Sequence, residues 1–157
     1  MTQAAFPGDL TGKVIVVTGG AQGIGGAAAR LCAERGAKVV IADWNPNVGA
    51  QAATKLAESG YVASFVQTDV RSPEAVENLM KSVQAQYGHL DVLICAAGVL
   101  KGAFLPPDEF PIEVFEEVID INLKGVFLCT KFAMPLFDTR GGGGTIMIGG
   151  CVGGNRG

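Results

Sequence analysis

The sequence predicts an α/β fold built on a doubly wound parallel sheet of about five strands, incomplete at its carboxyl end. Two observations carry this expectation. Short β-branched runs alternate strictly with longer helical stretches, the order expected of right-handed β-α-β crossovers. The first runs are also continuously apolar, as strands buried on both faces must be.

Lys13 to Thr18 is the first such run and opens directly on a glycine turn. Ile24 to Arg35 is Ala-rich and stops at Gly36, a helix with a glycine end signal. Lys38 to Ala42 is a second buried strand, after which Asn45-Pro46 starts a helix that runs to Glu58 and ends at Ser59-Gly60. Val62 to Val66 is a third strand. Ser72-Pro73-Glu74 supplies the cap, first-turn proline and acid of a helix reaching Tyr87, with Gly88 closing it. Leu90 to Cys95 is the fourth strand. A proline-bearing loop, Leu100 to Pro111, precedes a long helix from Ile112 to Phe137, and Gly141 to Gly144 lead into a fifth strand, Thr145 to Ile148.

All 157 residues fit one domain, with residues 141–144 and 149–157 as flexible Gly-rich segments. Nine of the last seventeen residues are glycine, and no helix returns over the fifth strand. Such a strand leaves apolar surface and an open edge, so the sequence reads as the first part of a larger fold. Charged residues make up 17%, the hydrophobic set 48%, and the mean hydropathy is +0.34, values of an apolar globular chain. A net charge of -3 without a basic cluster argues against nucleic-acid binding. No uncharged apolar stretch reaches spanning length, so no membrane is expected. The amino terminus shows no signal peptide. Cys32, Cys95, Cys129 and Cys151 form no C-x-x-C pair, which argues against a metal or disulfide framework and fits a reducing cytoplasm.

The turn Thr18-Gly19-Gly20-Ala21-Gln22-Gly23-Ile24-Gly25 joins a buried strand to a helix. Such a turn aims backbone N–H groups and the positive helix end at a pyrophosphate, and its glycines permit close approach. Gly23-x-Gly25-x-x-Ala28 satisfies the G-x-G-x-x-G/A pattern, but the register starting at Gly19 follows the strand directly. A tight turn used only for packing is the bland alternative. Asp43, twenty residues beyond Gly23, ends the second strand, where an acid can accept both ribose hydroxyls and repel a 2′-phosphate. No Arg or Lys lies in the turn and Trp44 follows Asp43, so NAD is favoured over NADP. A solvated loop aspartate is the competing reading.

Phe115, Val118, Ile119, Asn122, Val126 and Cys129 recur at helical spacing, which places Asn122 on an apolar stripe. A buried amide there requires a hydrogen-bond partner.

Together, Thr18-Gly19-x-x-x-Gly23-x-Gly25, Asp43, Asp69-Val70, Tyr87-Gly88-His89-Leu90-Asp91-Val92-Leu93 with Ala97-Gly98, and Asn122-Leu123 resemble the short-chain dehydrogenase/reductase family, over about Leu10 to Gly154. The resemblance implies a Rossmann-like sheet and a cofactor site joining Gly19, Gln22, Gly23, Ile24 and Gly25 to Asp43, Trp44 and Ile148. It also implies that Asp69 holds the adenine amino group, that Val70 flanks the ring, and that Ala96, Ala97 and Gly98 line the adenosine and ribose side. An acid approaching the Ser72-Pro73 helix start is an equally good reading of Asp69. The chain has Cys95-Ala96-Ala97-Gly98 where the family has Asn-Asn-Ala-Gly, so side-chain amides at the sheet centre are missing. In the family the residue matching Asn122 bends its helix and holds a water in a proton relay. An asparagine that bonds only to neighbouring backbone is the alternative.

Family catalysis adds a serine after the fifth strand and a Tyr-x-x-x-Lys pair. Gly150 occupies the serine position, and the only tyrosines, Tyr61 and Tyr87, lie before the third strand and at a helix end. Cys151 has no positive partner and is expected to be inert. His89, at the amino end of the fourth strand, is expected at the surface. The resemblance implies an oxidoreductase moving hydride between NAD(H) and an alcohol or ketone, with these 157 residues inactive alone. A non-catalytic NAD-binding module or pseudoenzyme is the alternative, and an NADP-linked reductase is opposed by Asp43. By the same resemblance, the 112–137 helix is the expected site of homo-oligomer pairing.

Overall fold

Alternation along β1, Val14–Thr18, explains the whole architecture. Its five residues are all buried, so it needs cover on both faces and a neighbour on both edges. The computed structural model, which describes residues 8–103, 105–137 and 142–149, supplies all four. With β2 (Lys38–Asp43), β3 (Ala63–Gln67), β4 (Val92–Cys95) and β5 (Thr145–Ile148), β1 forms one parallel sheet in the order β3-β2-β1-β4-β5. Val16 pairs with Val40 on one side and Leu93 on the other.

Residues two apart share a face. Ile15, Val17, Val39, Ile41 and Ile94 pack with Ala29 and Ala33 of α1 (Gly23–Glu34) and with Ala53 and Leu56 of α2 (Pro46–Glu58). Val14, Val16, Val40, Leu93 and Cys95 pack against α3 (Pro73–Tyr87) through Val76, Leu79, Met80 and Val83. The same face receives Leu128, Cys129, Ala133 and Leu136 of α5 (Gly125–Phe137). Cys32, Cys95 and Cys129 are free thiols.

The helix starts follow local chemistry. The Asn45 side chain accepts the N–H groups of Asn47 and Val48 with Pro46 next to it, and Ser72 Oγ accepts the Ala75 N–H at 3.2 Å. Gly88 closes α3 in the left-handed region at φ 77°. Expected strand bounds shift by a residue or two at β3 and β4. The loop before the long helix carries a single 3-10 turn, Pro107–Glu109.

Two expectations are corrected. His89 is not at the surface: its side chain is 14% exposed, with Nδ1 2.9 Å from the Tyr87 carbonyl and Nε2 3.1 Å from Asp91 Oδ2. Asp91 organises this amino end of the sheet, accepting the Val14 N–H at 2.8 Å and the Lys13 ammonium at 3.1 Å. The 112–137 helix is also not one regular helix. It runs as α4 (Ile112–Ile119), a π-helical turn (Asp120–Lys124) and α5. The wider turn adds a residue and rotates the apolar positions before it. Phe115 and Ile119 therefore join Ile112, Leu123 and Phe127 on an exposed apolar face, while Cys129 beyond it is in the core.

Gly141, Gly150, Cys151 and the rest of the tail lie outside the described residues. Among those described, no helix is long and apolar enough to cross a membrane.

Candidate functional site

The strand order reverses at β1. The chain moves outward through β2 and β3, then returns to place β4 on the other side of β1. Loops leaving β1 and β4 diverge there and open a crevice at the carboxyl ends of the strands. The crevice has a volume of about 610 Å³.

The turn after β1 forms its floor. Gly25 sits so close to the preceding strand end that a Cβ on it would enter the van der Waals shell of the Gly19 carbonyl oxygen. A Cβ on Gly19, itself at φ 64°, would lie 2.7 Å from Ala97 Cα. The turn is thus wedged between α1 and the β4 loop. Gly23 faces empty space. Gln22, the residue before α1, makes no side-chain cap, unlike Asn45 and Ser72 before the next two helices. The first N–H groups of α1 are left for an anion, and the helix dipole favours one there.

Asp43 closes one wall. It is only 8% exposed and is held by two backbone donors: the Ala21 N–H to Oδ2 at 3.3 Å and the Asn45 N–H to Oδ1 at 3.1 Å. That is half the acceptor capacity of a carboxylate. The solvated-loop reading of Asp43 is therefore excluded. Trp44 beside it is 70% exposed and lines the cleft. The Thr68 N–H donates to the Asp43 carbonyl at 2.9 Å and ties the β3 loop to this wall.

Asp69 and Val70 line the cleft with Arg71. The Arg71 guanidinium grips the Asp69 carboxylate, with Nη2 2.6 Å from Oδ2 and Nε 3.0 Å from Oδ1. These hydrogen bonds hold the Asp69 carboxyl below its ordinary range, against the opposing effect of partial burial.

Ala96, Ala97 and Gly98 follow β4 along the floor. The missing amides at 95 and 96 do not disturb the backbone path. The Ala96 N–H donates to the Thr18 carbonyl at 3.1 Å and the Ala97 N–H to Thr18 Oγ1 at 3.4 Å. Ile24, 87% exposed, and Ile148, 60% exposed at the end of β5, stand outside the lining, and Gly25 lies behind it.

Asn122 is exposed, not buried on an apolar stripe, because the π-helical turn carries it out of register with that stripe. Its amide nonetheless bonds through both its oxygen and its nitrogen to backbone remote in sequence. Oδ1 accepts the Val99 N–H and Nδ2 donates to the Val99 carbonyl, both at 2.9 Å. Val99 lines the cleft, so Asn122 pins the β4 loop to the long helix. Asn122→Ala is expected to lower stability by about 1–3 kcal/mol, two net hydrogen bonds, and to speed hydrogen exchange at the Val99 amide about tenfold or more. Unchanged protection at Val99 would contradict the clamp.

Thr68, Arg71, Val99, Lys101, Glu117 and Ile121 also line the cleft and were not expected. Lys101 Nζ and Glu117 Oε2 meet at 2.5 Å across the gap between the β4 loop and α4. Only Arg71 carried a signal, its place two residues beyond Asp69. Gly150 and Cys151 lie outside the described residues.

A family model described as short chain dehydrogenase matches residues 13–157. The chain is 43% identical over 141 residues to an uncharacterized oxidoreductase of Thermotoga maritima, covering 88% of this chain and 54% of that protein. It is 40% identical over 141 residues to 2-dehydro-3-deoxy-L-rhamnonate dehydrogenase (NAD(+)) of Sphingomonas sp., covering 89% and 54%. The crystal structure of a short chain dehydrogenase from Mycobacterium smegmatis superimposes with a TM-score of 0.88 at 33% identity, covering 95% of this chain and 61% of that one. The chain spans about half the length of the curated relatives it matches.

Proposed function

The chain belongs to the short-chain dehydrogenase/reductase family, and on that premise we propose that its cleft binds NAD(H) for hydride transfer between the cofactor and a small alcohol or ketone. The observation that carries this reading is Asp43, a nearly buried carboxylate anchored to the glycine turn beside an uncapped helix start. The α1 N–H groups would take the pyrophosphate over the open space at Gly23. The spare acceptor capacity of Asp43 would take the ribose hydroxyls. Trp44, Asp69 and Val70 would hold the adenine, with Ala96, Ala97 and Gly98 beneath the adenosine and Ile24 and Ile148 flanking the cofactor from outside the lining. Bound NAD(H) supplies the hydride donor or acceptor. The name of the Sphingomonas relative, which specifies NAD(+), supports the same cofactor.

In this reading Asn122 keeps the cleft floor in place and, as in the family, holds a water for proton transfer. Gly150 stands at the serine position, and the Tyr87 hydroxyl is buried without a partner among the described residues. We therefore expect the 157 residues alone to bind the dinucleotide without turning it over. The same residues favour a second reading, a non-catalytic NAD-binding module. The exposed face of Ile112, Phe115, Ile119, Leu123 and Phe127 supports a homo-oligomer, and the free thiols support a cytoplasmic location.

Trp44, the single tryptophan, reports binding directly. Saturable quenching of its fluorescence by NADH is expected, and its absence would sink the proposal. Absorbance at the nicotinamide band with a panel of secondary alcohols should stay flat for these residues. Turnover would overturn the expected inactivity.

A further inference from the structure

We propose that the Lys101–Glu117 ion pair latches α4 against the β4 loop as a gate on the cleft, and so sets how fast a dinucleotide enters and leaves. This inference rests on the dinucleotide reading above and gives two further lining residues a positioning role in it.

α4 is a weakly anchored wall. None of its eight residues is buried: Val114, Glu117 and Val118 are half-buried, and Ile112, Phe115 and Ile119 are exposed. A helix with so few buried apolar contacts opens locally at a low free-energy cost. Its two ends are nevertheless held. Before it, the Phe110 ring lies so close to Gly102, itself at φ 67°, that a Cβ there would come within 2.5 Å of the ring. After it comes the π-helical turn, where Asn122 bonds both the N–H and the carbonyl of Val99. Between these ends Glu117 ties the helix to the β4 loop, its Oε2 2.5 Å from Lys101 Nζ. α4 can therefore roll between fixed ends, and the ion pair opposes that roll.

Both members of the pair line the cleft, so parting them opens it. Neighbouring charges do not compete for either one. Arg71 also faces Glu117, but its guanidinium is committed to both oxygens of Asp69. Asp120, the next acid along, meets Lys124 at 3.3 Å. The strength of the latch suits a gate. Its side chains are 46% and 34% exposed, a setting in which an ion pair adds little to global stability and breaks readily. The pair also uses groups of the protein alone, so it favours a closed α4 equally with or without a ligand. Breaking it therefore speeds entry and exit together and leaves affinity unchanged, a signature that a ligand-binding contact does not give.

The experiment is stopped-flow exchange of NADH, read by Trp44 fluorescence, on wild type, on Lys101→Met, on Glu117→Gln and on the variant carrying both changes. The double variant leaves the net charge of the lining unchanged, so steering of an anionic dinucleotide is preserved. Its association and dissociation rates should both rise about three- to fivefold, the range a half-exposed ion pair can supply, with affinity within about twofold of wild type. Each single variant should release NADH as fast as the double, since either change breaks the same contact. Raising the salt should narrow the gap between wild type and the double variant, because screening loosens the latch in wild type alone. Unchanged exchange rates, with or without a lower denaturant midpoint, would overturn the inference while leaving the cofactor reading intact. Faster release with a matching loss of affinity would overturn it too, since the pair would then hold the ligand itself. Wild type whose fluorescence does not respond to NADH would remove the cofactor reading, and this inference with it.

Discussion

Gly25→Ala is expected to abolish dinucleotide binding, lowering NAD⁺ affinity by about a hundredfold or more. The reason is the interlock at the turn. A methyl group at Gly25 would overlap the Gly19 carbonyl, lie 2.8 Å from the Gly19 carbonyl carbon and press on Ala96 Cβ at 3.2 Å. Two of these neighbours are backbone, and Gly19 is itself wedged against Ala97, so nothing nearby can rotate away. Either α1 slides along its axis or the turn opens, and each moves the first N–H groups of the helix off the pyrophosphate position. Overpacking of this kind also costs about 1–3 kcal/mol of stability. Gly23→Ala is the informative control. At φ 58° it carries backbone strain, but its side chain would meet no atom within 4 Å, so the damage to the fold should be smaller. Calorimetry and a denaturant melt on both variants check this, and Gly25→Ala binding within threefold of wild type would refute the wedge.

Asp43→Asn should lower NAD⁺ affinity by about ten- to a hundredfold while leaving NADP⁺ unchanged or improved. Hydrogen bonds to a charged acceptor contribute about 1.5–3 kcal/mol, the origin of that range. Asparagine preserves the shape but keeps only one oxygen, so one of the Ala21 and Asn45 N–H groups retains its acceptor and the other faces the new amide NH2. What it removes is the negative charge, which strengthens bonds from the ribose hydroxyls and repels a 2′-phosphate. Equal losses for both dinucleotides would mean that Asp43 only anchors the turn.

The features that were legible in the sequence are those whose causes are local. Asn45-Pro46 and Ser72-Pro73 start helices because the cap and the fixed proline φ act within a single turn. The unbroken apolar run of β1 announced a strand covered on both faces. The five parallel strands and their covering helices followed from alternation. The facing of the long helix did not, because periodicity assumes a constant 3.6 residues per turn and the π-helical turn at Asp120–Lys124 breaks it. Asn122 therefore needed a partner, as expected, but finds it in Val99, across a loop, on an exposed surface. His89 was misplaced for a related reason: its enclosure depends on Asp91 and the Tyr87 carbonyl closing around it, a tertiary outcome. In the cleft, Gly19, Gly23 and Asp43 stood out by their place in or spacing from the β1 turn, and Asp69 through the family resemblance. Lys101 and Glu117 come from separate segments whose meeting only the folded chain defines.

The most direct test is a parallel calorimetric titration of the wild-type chain with NAD⁺ and NADP⁺. A buried, anchored carboxylate at the ribose position predicts saturable NAD⁺ binding at least about tenfold tighter than NADP⁺. Equal affinity for the two would contradict the role given to Asp43, and no binding of either would contradict the dinucleotide cleft.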